Sequence, residues 1–221
     1  MYAFRPIIGI AGGIGSGKSL VADFFAELGP GLVIRADDQV RASYLDPQIR
    51  ATLRQWWGDE VATADGAIDR AEVARRIFSD EKERHRLEQL LHPWVQAAGQ
   101  SRMVQAAADP QLLIFVWDTP LLYETGQFRQ CDAMVFVEAG FEQRLSRLAR
   151  RSGWNAGELN RRENSQWPLD RKREISDYVI DNSASADVAR GQVTDVLSRF
   201  FARWPQPVQT EGAPPVVAIP A

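Results

Sequence analysis

The chain is poor in cysteine, in long apolar stretches and in surplus charge of either sign, and each shortage closes off a class of protein. Cys131 is the only cysteine among 221 residues, so no intramolecular disulfide forms and no cysteine cluster is available for zinc, which suits a reducing cytosol. No apolar run approaches the ~20 residues that a membrane-spanning helix needs. Met1-Tyr2-Ala3-Phe4-Arg5-Pro6 leads straight into the first apolar run, so no signal peptide is expected. Lys and Arg number 26 against 29 Asp and Glu, a formal net charge of -3. Without a basic footprint, neither nucleic acid nor an anionic membrane surface is an expected partner, and any anion site must be local. Internal repeats are absent as well. The expectation is a cytoplasmic protein, a monomer or a weak homo-oligomer, that acts on a small molecule.

What is present is concentrated near the beginning. Gly12-Gly13-Ile14-Gly15-Ser16-Gly17-Lys18-Ser19 satisfies G-x-x-x-x-G-K-S/T. Before it, Ile7-Ile8-Gly9-Ile10-Ala11 reads as a strand buried on both faces. After it, Leu20, Val21, Phe24, Phe25 and Leu28 recur at helical spacing, with Gly29 as the C-terminal stop. That context makes the motif a nucleoside-triphosphate site: glycines let backbone N–H groups wrap phosphate, the helix N-terminus adds partial positive charge, Lys18 neutralises β/γ oxygens, and Ser19 offers a hydroxyl to Mg²⁺.

Four more apolar runs, Leu32 to Ile34, Leu112 to Trp117, Ala133 to Val137 and Tyr178 to Ile180, alternate with helical patterns. The fold class is therefore α/β, a five-stranded parallel sheet with a P-loop kinase core. A single domain is expected over 1–204, its core at about 7–45 and 110–204. Residues 46–109 hold only amphipathic helical patterns and read as an inserted helical subdomain for the acceptor, an analogy with nucleotide kinases. Residues 144–173, with Arg144, Arg147, Arg150, Arg151, Arg161, Arg162, Arg171, Lys172 and Arg173, read as a helical Arg-rich lid that closes on polyphosphate. Residues 205–221 are a Pro-rich tail, expected to be disordered. The Trp residues, including Trp56, Trp57 and Trp94, fall among apolar helical positions and read as core.

Two acids stand where such a sheet places chemistry. Asp37 follows the second run and Asp118 the third. A strand-end carboxylate beside a phosphate loop organises Mg²⁺, the role given to Asp118 with Ser19, or takes a hydroxyl proton as general base, the role given to Asp37. Either could instead be a helix N-cap, which is the preferred reading for Asp38.

The phosphate loop together with Val33-Ile34-Arg35-Ala36-Asp37 and Arg41, Leu91-His92-Pro93, Asp118-Thr119-Pro120-Leu121-Leu122-Tyr123-Glu124 and Ile180-Asp181-Asn182-Ser183 resembles the dephospho-coenzyme A kinase family, from about Ile7 to Leu197. The resemblance implies transfer of the γ-phosphoryl of ATP to the ribose 3′-hydroxyl of dephospho-coenzyme A, with Mg²⁺. It implies that Gly13, Ile14, Gly15, Ser16, Gly17, Lys18, Ser19 and Leu20 hold ATP phosphates, that Lys18, Asp37 and Arg147 serve catalysis, and that Arg147 and Arg162 are lid cations. Asn182 falls near the ATP base, while Arg41, Pro120, Leu121 and Leu122 border the acceptor. His92 is kept on the acceptor side, although its Leu-Leu-His-Pro setting reads as a helix junction held by packing. Three positions depart from the family pattern: Leu20 stands where Thr is frequent, Arg35 where Asp is frequent, and Tyr123 where Phe is frequent. A nucleoside-monophosphate-type kinase shares the loop, lid and strand acids and stays as an alternative. A GTPase-type switch would want an Asn-Lys-x-Asp motif, and the sequence has none.

Overall fold

Strands buried on both faces should be apolar without alternation, and the sheet is built that way. In the computed structural model, described over residues 5–204, β1 (Ile7–Gly12), β2 (Gly31–Arg35), β3 (Ile114–Asp118), β4 (Ala133–Glu138) and β5 (Tyr178–Asp181) form one sheet. Its order is β2-β3-β1-β4-β5, with every pairing parallel. Ile8, Ile10, Ile114, Val116, Val135 and Val137 pack on one face against Val21 and Phe25 of α1 (Lys18–Leu28) and Val193 and Leu197 of α9 (Ala186–Arg203). On the other face Ala11, Met134 and Phe136 pack with Leu122 and Tyr123. The register sets Ile10 and Arg35 beside Asp118 on either side. The phosphate loop, the end of β2 and Asp118 therefore share the carboxyl edge of three adjacent strands, where open α/β sheets bind ligands.

Two boundaries differ from the sequence reading. Leu112 and Leu113 precede β3, which begins at Ile114 and carries Asp118 as its last residue rather than just beyond it. At the end of β2 the chain enters α2 (Ala36–Ser43) with no intervening loop. Asp37 and Asp38 accordingly both lie inside the first helical turn, and Asp38 is not the cap. Carboxylates there complement the helix dipole.

The stretch 46–109 holds α3 (Pro47–Trp57), α4 (Arg70–Ser79) and α5 (Glu81–Ala106). Its core is separate from the sheet core: Ile49, Leu53, Trp57, Val61, Val73, Leu87 and Leu91 cluster together with Tyr44. Asp46 caps α3 through the amides of Gln48 and Ile49 and also accepts from the Trp94 indole at 3.2 Å, so one carboxylate ties α3 to α5. The Trp57 indole donates to Glu83 at 2.6 Å in the same way. Trp57 is thus core, as its spacing suggests, with its polar edge satisfied.

After β4, α6 (Phe141–Ser152), α7 (Ala156–Glu163) and α8 (Leu169–Glu174) carry the basic segment back to β5. The Pro-rich stretch expected to be disordered, 205–221, lies outside the described residues.

Leu53 is completely buried in the helical cluster. Leu53→Ala should cost about 2–5 kcal/mol of folding free energy. Urea denaturation checks this, and a loss within error of zero would mean that the cluster repacks around the cavity.

Candidate active site

A loop that turns its N–H groups toward phosphate must turn its carbonyls the other way, and those carbonyls need donors. Here side chains supply them. Lys18 Nζ donates to the carbonyls of Gly12 (3.1 Å) and Gly13 (2.9 Å). Arg144 donates to Ile14 at 3.2 Å, and Arg147 to Gly15 and Ser16 at 3.3 and 3.1 Å. Asn182 Nδ2 donates to the Ser16 carbonyl at 2.7 Å, and its own carbonyl accepts from Arg147 at 2.7 Å. Glu163, ion-paired with buried Arg144, accepts the Ile14 amide at 3.2 Å. Gly17 sits at φ 93 just before α1, and a Cβ there would fall 2.2 Å from the Asn182 amide nitrogen, so glycine is required by both conformation and space.

The loop fits a polyphosphate on three counts. Helix α1 has no side-chain cap, so its first N–H groups are left for a ligand. The Ser16 hydroxyl is buried without a hydrogen-bond partner. Cationic side chains converge on the same place. Burial holds the Lys18 ammonium down at about 8, below the ordinary 10.5. Asp118 opposes that shift, while the charges of Lys172 and Arg144 add to it. Lys18 keeps part of its surface open, so desolvation here means enclosure by protein atoms on several sides rather than complete occlusion.

Around this cluster the charges are balanced locally. Asp118 is buried, with Arg35 Nε at 3.9 Å, and Arg35 also pairs with Asp23 of α1. Lys172, buried on α8, pairs with Glu124 at 2.7 Å and donates to Gln166 at 3.1 Å. For Mg²⁺ the donors at hand are the Asp118 carboxylate and the Ser19 hydroxyl. No group of three or more His, Cys, Asp or Glu suited to a metal occurs among the described residues. One carboxylate and one hydroxyl match a Mg²⁺ ion that takes its remaining ligands from phosphate and water.

At the carboxyl ends of β2 and β3, between α2, α5 and the segment after β3, lies a cavity of about 450 Å³. Asp37, His92, Pro120 and Leu121 line it. Arg41 and Leu122 do not. Arg41 is exposed with Asp38 at 3.9 Å, and Leu122 is buried against the sheet with Tyr123 and Phe136. Leu122 follows Leu121 on an irregular segment and so takes the opposite side, toward the core. His92 is not at a helix junction: α5 runs on through Pro93, and the ring is exposed at the cavity rather than held by packing. Arg147 reaches the loop, whereas Arg162 is drawn to Glu158 at 2.6 Å within α7 and lies over the Trp154 ring. Asn182 sits against the loop as a brace on Ser16. Ser19 and Leu20 are exposed in the first turn of α1.

The Arg144–Glu163 pair, the Lys172–Glu124 pair and Gln39, buried at the cavity, were not singled out by sequence reasoning. Only the clustering of basic residues hinted at the first two, and for Gln39 no local signal exists.

A parallel sheet of this order with a phosphate loop after its central strand and a lined cavity at the same carboxyl edge defines a P-loop phosphotransferase. A family model for dephospho-CoA kinase matches residues 6–187. The dephospho-CoA kinase of Syntrophotalea carbinolica is 39% identical over 88% of this chain and 92% of its own length. That of Anaeromyxobacter dehalogenans is 35% identical over 95% and 98%. Among solved structures, TT1252 from Thermus thermophilus superposes with a TM-score of 0.72 at 29% identity, covering 88% of this chain and 97% of that one. Dephospho-CoA kinase from Campylobacter jejuni, at 20% identity and a TM-score of 0.61, shares the fold. The chain belongs to the dephospho-CoA kinase family.

The Lys18 ammonium gives the site a pH dependence. Phosphate binds the charged form, and that form is lost from the free protein as pH rises through about 8. ATP affinity should therefore weaken from about pH 8 upward, with proton uptake on binding, which calorimetry in buffers of different ionisation heat detects. An affinity that stays level up to the ordinary lysine range would contradict this.

Proposed function

We propose that the protein phosphorylates the ribose 3′-hydroxyl of dephospho-coenzyme A with ATP, the closing step of coenzyme A synthesis, in the cytoplasm. The observation that carries this reading is the position of Asp37 on the cavity wall just past β2, at the carboxyl edge of the sheet that also carries the phosphate loop. Asp37 accepts the proton of the 3′-hydroxyl. The freed oxygen then attacks the γ-phosphorus, and the bond to the bridging oxygen breaks, leaving its electron pair on ADP. The uncapped N-terminus of α1, the loop amides and Lys18 hold the β- and γ-phosphates in line. Asp118 and Ser19 would hold Mg²⁺, which supplies positive charge to the same oxygens when bound. Arg147 contributes charge beside the loop from α6, and Arg162 joins it only by exchanging Glu158 for phosphate. In this reading 144–173 is the lid and the helical stretch 46–109 is the acceptor wall.

Incubation with MgATP and dephospho-coenzyme A should yield ADP and coenzyme A, identified by mass. Faster turnover of AMP, CMP or a sugar would replace the acceptor assignment. Asp37→Asn keeps the shape but cannot take the proton, so saturating turnover should fall by roughly 10²–10⁴ while ATP affinity holds. If only acceptor affinity collapses, Asp37 is a binding residue.

A further inference from the structure

The cavity wall is unusual in its polarity. Among the described residues that line it there is no lysine or arginine, whereas five glutamines are present. Such a wall lacks the lysine or arginine that would favour the diphosphate of the acceptor and suits an uncharged, hydrogen-bonding part of it. One of the glutamines, Gln39, is only 7% exposed, and its amide nitrogen is buried with no partner. The amide lies flat over Gly99 of α5, where a Cβ would come within 3.2 Å of both its polar atoms. Glycine is a poor choice in the middle of a 26-residue helix. Its presence there leaves room for the Gln39 amide against α5. Flat and apolar surfaces complete the cavity, among them Trp117, whose indole N–H is turned away to the Met103 sulfur at 3.3 Å.

Gln39 lies two residues after Asp37 in the same helix, and both face the cavity. A ribose with its 3′-hydroxyl at Asp37 carries its base on C1′, across the same ring, and Gln39 lines the same cavity. The pantetheine arm begins beyond the two phosphates, for which this wall has no lysine or arginine. A glutamine amide matches adenine in two places, donating to N7 and accepting from the 6-amino group. We infer that Gln39 reads the adenine of the acceptor through that edge and so sets base specificity. This rests on the dephospho-coenzyme A reading above.

The test compares dephospho-coenzyme A with its 7-deazaadenine analogue, which lacks the N7 acceptor, by calorimetry on the full chain without ATP. The wild-type protein should bind the natural compound about tenfold or more tightly than the analogue. Gln39→Leu should bind the two alike, near the wild-type affinity for the analogue. Gln39→Glu, which keeps size but loses the donor, should do the same and serves if the leucine variant does not fold. Equal binding of both compounds by the wild type, or a preference that survives in a folded variant, overturns the assignment. Because the readout is binding, the two readings fail separately. Base-dependent binding without coenzyme A formation would remove the kinase reading and uphold Gln39, and coenzyme A formation with base-independent binding would remove Gln39 alone.

Discussion

The site depends on one constraint, the need to satisfy the outward carbonyls of a loop whose amides point inward. Five successive carbonyls, Gly12 to Ser16, are each taken by a side chain. The donors come from α1, α6 and the end of β5, so a phosphate nest is made rigid by elements that are remote in sequence. A buried backbone carbonyl without a partner costs about as much as a lost hydrogen bond, ~1–3 kcal/mol. Arg144, Arg147 and Asn182 are therefore part of the loop's own stability. The arrangement also couples the loop to the basic segment: Glu163 of α7 holds the Ile14 amide and Arg144 of α6 holds its carbonyl, so displacing α7 removes the carboxylate partner of both.

A second consequence concerns charge. The protein is acidic as a whole, yet Lys18, Arg144, Arg147 and Lys172 gather around one loop. Such a cluster is costly without anions, and the structure offsets it with Glu163, Glu124 and Asp118, each buried or nearly so. A polyphosphate arriving at the loop meets cations that are already desolvated and positioned, which is the preorganisation that electrostatic catalysis requires. The neighbouring cavity is lined by no lysine or arginine, and it carries the Asp37 carboxylate among five glutamines.

The phosphate loop was legible in the sequence because its chemistry is local: glycines, lysine and serine lie within eight residues between a strand and a helix. Asp37 and Asp118 were legible as strand-end acids, although the exact boundaries depended on register, which places Asp118 opposite Ile10 and Arg35 inside the sheet. Pairings between distant positions were not legible. Arg144 meets Ile14 across 130 residues and Glu163 meets it across 149, and neither distance leaves a trace in the local pattern. Arg162 illustrates the converse, since a basic residue in a basic run is claimed by its own helix through Glu158 four positions earlier. Pro93 suggested a break that the packing of Leu87, Leu91 and Met103 on either side overrides.

Arg35 shows how one departure from a family pattern is absorbed. Standing where an acid is frequent, it leaves Asp37 as the lone acid of that turn and brings a positive charge to within 3.9 Å of Asp118. At that distance the contact is electrostatic rather than a formed hydrogen bond. The stronger tie of Arg35 is to Asp23 on α1, which is itself more than half exposed. The guanidinium is thereby held toward solvent by one carboxylate while it only shades the other. The arginine's main tie therefore lies with the exposed Asp23, where solvent screens it, while the buried Asp118 keeps only the longer contact.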